Sequence, residues 1–300
     1  MKVAITGASG LIGSALVQEL QADGHNVLQL VRRPPTTSGE VEWDPQGGSV
    51  DVNGLLGVDA LVHLAGAGVG DKRWTAAYKR EIRESRLLGT KTIARAIAGL
   101  DPKPAVMVSG SAIGYYGDSG DRTVDEDSPN GSGFLAGVVR DWENAAGPAV
   151  EAGIRVVHPR SGLVVAGKGG AWGRMWPLFR LGLGGRMGSG TQYWSFVSLR
   201  DEVRAIRRMM DDSSMTGAYN VCAPEPATNR EITQAMGALL HRPTVAPVPS
   251  FVLKTVLGEM SSEVLGSIRV RPSRLLAAGF EFTDPTITEA LQAALGASVN

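Results

Sequence analysis

The sequence predicts a doubly wound α/β fold, a parallel sheet covered by helices on both faces, followed by a small C-terminal lobe. Three observations predict it. Short β-branched runs alternate with longer stretches of helical periodicity through the first two-thirds of the chain. A glycine-rich turn, Gly7-Ala-Ser-Gly10-Leu-Ile-Gly13, joins the first of those runs directly to the first helical stretch. After Pro159 the texture changes, and residues 166–195 become rich in glycine and aromatic side chains with arginines interspersed.

In chain order, strands are expected at 2–6, 26–31, 60–64, 105–109 and 154–159, with a further one ending near Asp44. Helices are expected at 10–22, 75–98 and 132–152. In the second of these, Tyr78, Ile82, Ser85, Gly89, Ile93 and Ile97 recur at helical spacing, a partly small and polar stripe suited to packing on a sheet near a ligand. Residues 194–198 and 218–222 are expected to return to the sheet after the excursion. From Asn229 the pattern is helical, ending in a helix at 287–295. No internal repeat or linker separates autonomous domains. The expected division is 1–165 plus about 196–222 as a nucleotide-binding domain, with 166–195 plus 223–300 as a smaller substrate-binding lobe.

Composition excludes several functions. The chain has 300 residues, 43% of them hydrophobic, and 30 basic side chains balance 30 acidic ones. High apolar content without net charge is inconsistent with disorder, and gives no support to a nucleic-acid or membrane-surface partner. A single cysteine, Cys222, cannot form an internal disulfide. No run approaches 18 apolar residues, and the start MKVAITGASG lacks a secretory pattern. A cytoplasmic protein with a small-molecule substrate is expected; the oligomeric state is left open. Glycine, at 39 residues, points to tight turns or close backbone approach to a ligand.

The turn after the first strand carries the clearest chemistry. Gly7 permits the tight turn, Gly10 lets backbone approach a pyrophosphate, and Gly13 allows close helix–sheet packing. The helix N-terminus supplies free N–H groups and the positive end of its dipole. Thr6, Ser9, Leu11 and Ile12 complete the expected cofactor-binding turn. At the end of the second strand, where an acidic residue would bind a ribose 2′-hydroxyl, the chain has Arg32 and Arg33. Two guanidiniums there favour NADP(H) over NAD(H), the alternative being solvated surface charge. Asp44 is a candidate adenine neighbour, and Leu64, Ala65, Gly66 and Ala67 are placed along the cofactor. The segment Gly162–Lys168 matches a phosphate-binding loop until its eighth position, where Gly169 replaces the Ser or Thr that holds magnesium.

The segments ITGASGLIG, HLAGAGVGDKRW, SGSAIGYYG, GSGTQYWSFVSLRDEV and YNVCAPEPATN occur in this order. With the later GEMSSEVLGSIRVRPSRLLAAGF, they resemble the extended and atypical short-chain dehydrogenase/reductases of the NAD(P)-dependent epimerase/dehydratase family. More narrowly they are similar to its sugar-nucleotide epimerase-like branch. The resemblance implies a Rossmann-type domain with a seven-strand sheet, a C-terminal substrate lobe and NADP(H). It further implies a catalytic Ser followed by a Tyr with Lys four residues later on one helix, the Lys lowering the Tyr pKa.

Ser109 and Ser111 fall in the expected serine region, and Ser111 is the better match. The Tyr–Lys pair is absent. No tyrosine is followed by Lys at that spacing, and the helix that should carry the pair shows an apolar stripe of Leu135, Val138, Val139 and Trp142. Tyr115 and Tyr116 are the candidate substitute acids, with a structural aromatic pair as the alternative. Lys72, Arg73 and Arg83 are candidate anchors for an anionic substrate, and Trp194 a candidate pocket wall. His25, His63, His158 and His241 are scattered without metal-ligand spacing. Asp125, Glu126 and Asp127 read as a solvated acidic loop. Two functions remain: an NADP(H)-dependent oxidoreductase or epimerase-like enzyme, or a non-catalytic NADP(H)-binding sensor.

Overall fold

The computed structural model describes residues 1–296. In chain order the strands are β1 (Lys2–Thr6), β2 (Asn26–Val31), β3 (Glu40–Asp44), β4 (Ser49–Val50), β5 (Ala60–His63), β6 (Val106–Ser109), β7 (Ser111–Ala112), β8 (Thr123–Val124), β9 (Arg155–Ser161), β10 (Leu163–Val165), β11 (Tyr193–Trp194), β12 (Phe196–Ser198), β13 (Gly217–Val221), β14 (Ala227–Thr228) and β15 (Arg269–Val270). The helices are α1 (Leu11–Ala22), α2 (Ala76–Ala98), α3 (Phe134–Asn144), α4 (Gly147–Glu151), α5 (Gly170–Arg180), α6 (Leu199–Asp211), α7 (Asn229–Leu240), α8 (Ser250–Leu257), α9 (Ser261–Leu265), α10 (Ser273–Ala277) and α11 (Ile287–Gly296).

The main sheet runs β13-β9-β6-β5-β1-β2-β3-β4. Every pairing from β13 through β3 is parallel, and β4 closes the edge antiparallel to β3. Strand order reverses between β1 and β5, so the ligand crevice of such a sheet lies at the carboxyl ends of those two strands. The sequence explains why both faces are covered. Val3 and Ile5 point into one core with Leu16, Leu20, Ile206 and Met209 of α1 and α6, while Ala4 points into the opposite core with Ile93 and Ile97 of α2. Strands with apolar residues at every position can satisfy both faces only between two helical layers. No helix among the described residues is long and apolar enough to cross a membrane.

Three expectations need correction. The helix expected over 132–152 is two helices, α3 and α4, and Pro148 sits in the first turn of the second. Proline tolerates that position and clashes one turn deeper in a continuous helix. Residues 194–198 do not rejoin the main sheet. Instead β11 pairs with β14 and β12 pairs with β10, and only β13 returns, alongside β9. Strand β12 faces two cores: Val197 packs with the sheet, whereas Phe196 packs with Trp172, Trp176 and Ile232 of α5 and α7. Finally, Glu126 is buried rather than solvated, accepting from the backbone N–H of Asn220 at 2.9 Å and from that of Arg274 at 3.3 Å. It ties the segment after β8 to β13 and α10.

Helix α6 buries a second carboxyl. Glu202 is fully buried; Ser161 Oγ donates to its Oε1 at 2.5 Å, and its Oε2 has no partner. Burial pushes its pKa up to about 7 from an ordinary 4.5. An acid with a raised folded-state pKa contributes most below the unfolded value, and that contribution is lost as pH rises toward the folded one. Glu202→Gln should therefore match the wild type near pH 4.5 and exceed it by about 3 kcal/mol above pH 7. Urea unfolding of both proteins across that range measures this, and parallel curves would show that Glu202 is not held neutral.

Candidate functional site

The turn between β1 and α1 is built from backbone alone. Gly7 has φ +71°, and a Cβ there would lie 2.8 Å from the Ala65 nitrogen and the Leu64 carbonyl carbon. A Cβ on Gly13 would meet the Gly7 carbonyl oxygen at 2.2 Å. Helix α1 thus seats directly on the turn, and the turn on the loop after β5. Thr6 joins the same three pieces: its Oγ1 accepts from the N–H groups of Leu64 and Ala65 at 3.2 and 3.3 Å and shares a 2.7 Å hydrogen bond with His63 Nδ1. His63 is fully buried, which lowers its pKa to about 3, with the nearby Arg86 charge adding to the shift. Neutral imidazole is therefore the form that holds this junction. No side chain caps α1 and no acidic residue lies in its first turn. Ser9 and Gly10 are exposed, with Leu11 and Ile12 half-buried. The result is an open helix N-terminus whose N–H groups and dipole favour an anion.

Arg86 stands behind Leu64–Ala67. Its Nη1 donates to the carbonyls of Ala67 at 2.9 Å and Ile82 at 3.1 Å, its guanidinium lies 5.1 Å from the Trp142 ring, and a Cβ on Gly66 would touch its side chain at 3.4 Å. Burial lowers its pKa to about 10. At the end of β2 the two arginines differ. Arg33 is clamped by Glu40, with nitrogen–oxygen distances of 2.5 and 2.9 Å, and this hydrogen bonding holds the Glu40 carboxyl down at about 2. Arg32 is exposed and has no ion pair among the described residues. Asp44 closes its own turn by accepting from the Gln46 N–H at 2.9 Å.

Past β6 lies a buried polar chain. Ser111 Oγ donates to Glu143 Oε1 at 2.6 Å. Arg160 grips the same carboxylate twice, Nε to Oε1 at 2.8 Å and Nη2 to Oε2 at 2.9 Å. Its Nη1 donates to Tyr116 Oη at 3.0 Å, and Tyr116 in turn donates to Asn220 Oδ1 at 2.7 Å. The Tyr115 ring stacks on the guanidinium at 3.5 Å. Burial alone would raise the Glu143 pKa, yet the hydrogen bonds and charge of Arg160 bring it below the ordinary value. Burial pushes the Tyr116 phenol up to about 12.

Beside this chain, the turn after β7 and the start of α3 face α8 and α9 across a cleft of about 700 Å³, with Trp74, Lys79, Phe134, Lys254 and Glu263 on its walls. The four predicted substrate contacts do not line it. Lys72 pairs with Glu81 at 3.2 Å, Arg83 with Asp141 at 2.6 Å, Arg73 donates to the Thr255 carbonyl at 3.3 Å, and Trp194 Nε1 donates to the Val264 carbonyl at 3.1 Å.

Known proteins show the same architecture. An epimerase family protein of Mycobacterium bovis is 45% identical over 290 residues, 96% of each chain. The chain belongs to the epimerase family. The model of the NAD-dependent epimerase/dehydratase family matches residues 3–133, and a domain of unknown function (DUF1731) matches residues 248–294. The crystal structure of human epimerase family protein SDR39U1 with NADPH has a TM-score of 0.92 at 35% identity, covering 99% of both chains. A nucleoside-diphosphate sugar epimerase from Corynebacterium glutamicum gives 0.82 at 36% identity, covering 99% of this chain and 58% of that one.

Ser111, Tyr115 and Tyr116 stand close together after β6, where Glu143 and Arg160 hold them. Glu143, on α3 after the apolar stripe of Leu135, Val138, Val139 and Trp142, carries no local motif that marks it as the partner of Ser111. Arg160 lay inside an apolar strand, where an arginine at 4% exposure signals a buried partner. Arg86 was legible too, since it interrupts the stripe Ile82, Gly89, Ile93 at helical spacing.

Proposed function

We propose that the chain binds NADP(H) across the carboxyl edge of the sheet and acts as an oxidoreductase or epimerase-like enzyme on a small carbonyl-bearing or sugar-derived substrate. The observation that carries this reading is the uncapped α1 N-terminus, seated on glycines at which a Cβ would collide with backbone. That cradle fits a pyrophosphate, and the NADPH in the human relative supports the same cofactor here. NADP(H), when bound, supplies or accepts a hydride. Residues 6–13 would hold the diphosphate, Arg32 the 2′-phosphate, Asp44 would neighbour the adenine, and Leu64–Ala67 would pass along the nicotinamide half with Arg86 behind them. Ser111 would meet the substrate oxygen. Tyr115 would exchange the proton, because the Tyr116 hydroxyl is spent between Asn220 and Arg160. The lobe of residues 166–195 and 223–300 would close the cleft over the substrate.

A paired titration of NADPH and NADH by tryptophan fluorescence tests the cofactor. NADPH should bind at least about tenfold more tightly, some 1.4 kcal/mol. Arg32→Ala should bring the two affinities together. Arg33→Ala should change the ratio less, since Glu40 already engages that guanidinium. Failure of both nucleotides to bind ends the reading.

A second reading is favoured by one observation: no tyrosine of the chain is followed four residues later by Lys, and α3 carries an apolar stripe of Leu135, Val138, Val139 and Trp142 instead. On that reading the protein is a non-catalytic sensor whose nucleotide occupancy is read by a partner. Oxidation of bound NADPH by any member of a carbonyl panel decides against it, as does loss of that activity in Tyr115→Phe.

A further inference from the structure

We propose that Glu143 is a positioning residue that makes Ser111 a hydrogen-bond acceptor toward the site, so that of the alcohol and carbonyl forms of the substrate the hydroxyl form binds Ser111 more tightly. The inference rests on the reading of the chain as an NADP(H) enzyme with Ser111 at the substrate oxygen.

A serine hydroxyl has one proton to give and two lone pairs to offer. Here the proton is committed: Ser111 Oγ stands 2.6 Å from Glu143 Oε1. The carboxylate cannot turn away, because Arg160 holds both of its oxygens, and the pair is nearly closed to water, with side-chain exposures of 5% and 13%. Arg160 also keeps Glu143 ionised, with a pKa below the ordinary value despite burial. A hydrogen bond to an ionised acceptor is roughly twice as strong as one between neutral groups. A substrate carbonyl would have to win the Ser111 proton from a carboxylate and would otherwise set its lone pairs against those of the serine. A substrate hydroxyl meets no such competition, since it donates into the free lone pairs while Ser111 keeps its bond to Glu143. The more tightly bound form of the ligand is therefore the reduced one, a secondary alcohol or a sugar hydroxyl.

Two measurements test this. Neutron diffraction from deuterium-exchanged crystals should place the Ser111 deuteron on the line to Glu143 Oε1; a deuteron directed away from Glu143 overturns the proposal without any appeal to activity. In solution, cyclohexanol is compared with cyclohexanone, and glycerol with dihydroxyacetone, using NADP⁺ for the alcohols and NADPH for the carbonyls. The KM of each alcohol should be at least tenfold below that of its ketone. Ser111→Ala and Glu143→Gln should bring that ratio toward one, a change that loss of scaffold alone does not produce. A wild-type ratio at or below one, or an unchanged ratio in Ser111→Ala, overturns the inference and leaves the enzymatic reading standing. Turnover of neither member of either pair and of no member of the carbonyl panel, with NADPH binding intact by fluorescence, removes the enzymatic reading and this inference with it.

Discussion

Gly13→Ala is expected to weaken NADPH binding at least a hundredfold and to destabilise the fold by about 3 kcal/mol. The added Cβ would lie 2.2 Å from the Gly7 carbonyl oxygen, 2.9 Å from the Gly7 carbonyl carbon and 3.0 Å from the Ala8 Cα. All three are backbone atoms, so no rotamer relieves the clash, and α1 has to lift from the turn. Lifting it misdirects the N–H groups that would cradle the pyrophosphate and opens the packing of Leu16 and Leu20 against the sheet. Gly10→Ala supplies the contrast. Its Cβ meets only the Gly7 carbonyl oxygen, at 3.2 Å, and the residue is exposed, so the fold should survive with only a small loss. Fluorescence titration and urea unfolding of both variants separate the two effects. Wild-type affinity in Gly13→Ala would show that α1 need not be seated on the turn to bind nucleotide.

The contrast also shows what could be read from the sequence. Gly7 and Gly13 were legible because each is demanded by a local geometry, a strand running straight into a helix, which spacing alone reveals. The same holds for β1 and β5, whose Val3-Ala4-Ile5 and Ala60-Leu61-Val62 runs need two covering layers. The break of the helix expected over 132–152 turns on Pro148 within it, but the other expectations that failed depend on partners far away in the chain. Residues 194–198 carry a strand pattern, but which sheet they join is decided by Leu163–Val165, and by Ser195 Oγ, which accepts from the Val270 N–H and donates to the Ile268 carbonyl. Glu126 reads as surface charge until Asn220 and Arg274 arrive from β13 and α10 to bury it. In the candidate site, Ser111 and the two tyrosines follow a strand end, a placement visible in the sequence. Glu143 and Arg160 come from α3 and β9, and only the folded chain puts their charges together.

Arg160→Met should be the most damaging single change to the site, costing about 3–5 kcal/mol. It leaves Glu143 buried without its counter-charge, removes the cation stacked on Tyr115 and strips Tyr116 of a hydrogen-bond donor. The sign of its pH dependence is fixed by Glu143. In the wild type its lowered pKa contributes stability above the unfolded value near 4.5, and that contribution is lost as pH falls through the folded one. Without Arg160, burial, the largest influence on this carboxyl, is opposed only by the Ser111 hydrogen bond and the nearby His158 and raises the pKa, so the cost should be largest at neutral pH and shrink under acid conditions as the carboxyl takes up a proton. The double variant Arg160→Met/Glu143→Leu should recover most of the stability, because an apolar pair of similar volume can replace a buried ion pair. It should not recover turnover, since Ser111 then has no anion to hold its proton. Urea unfolding from pH 4 to pH 8 reads the first effect. If the double variant regains both stability and turnover, the chain from Ser111 through Glu143 to Arg160 is scaffold, and the proton chemistry belongs to Tyr115 alone.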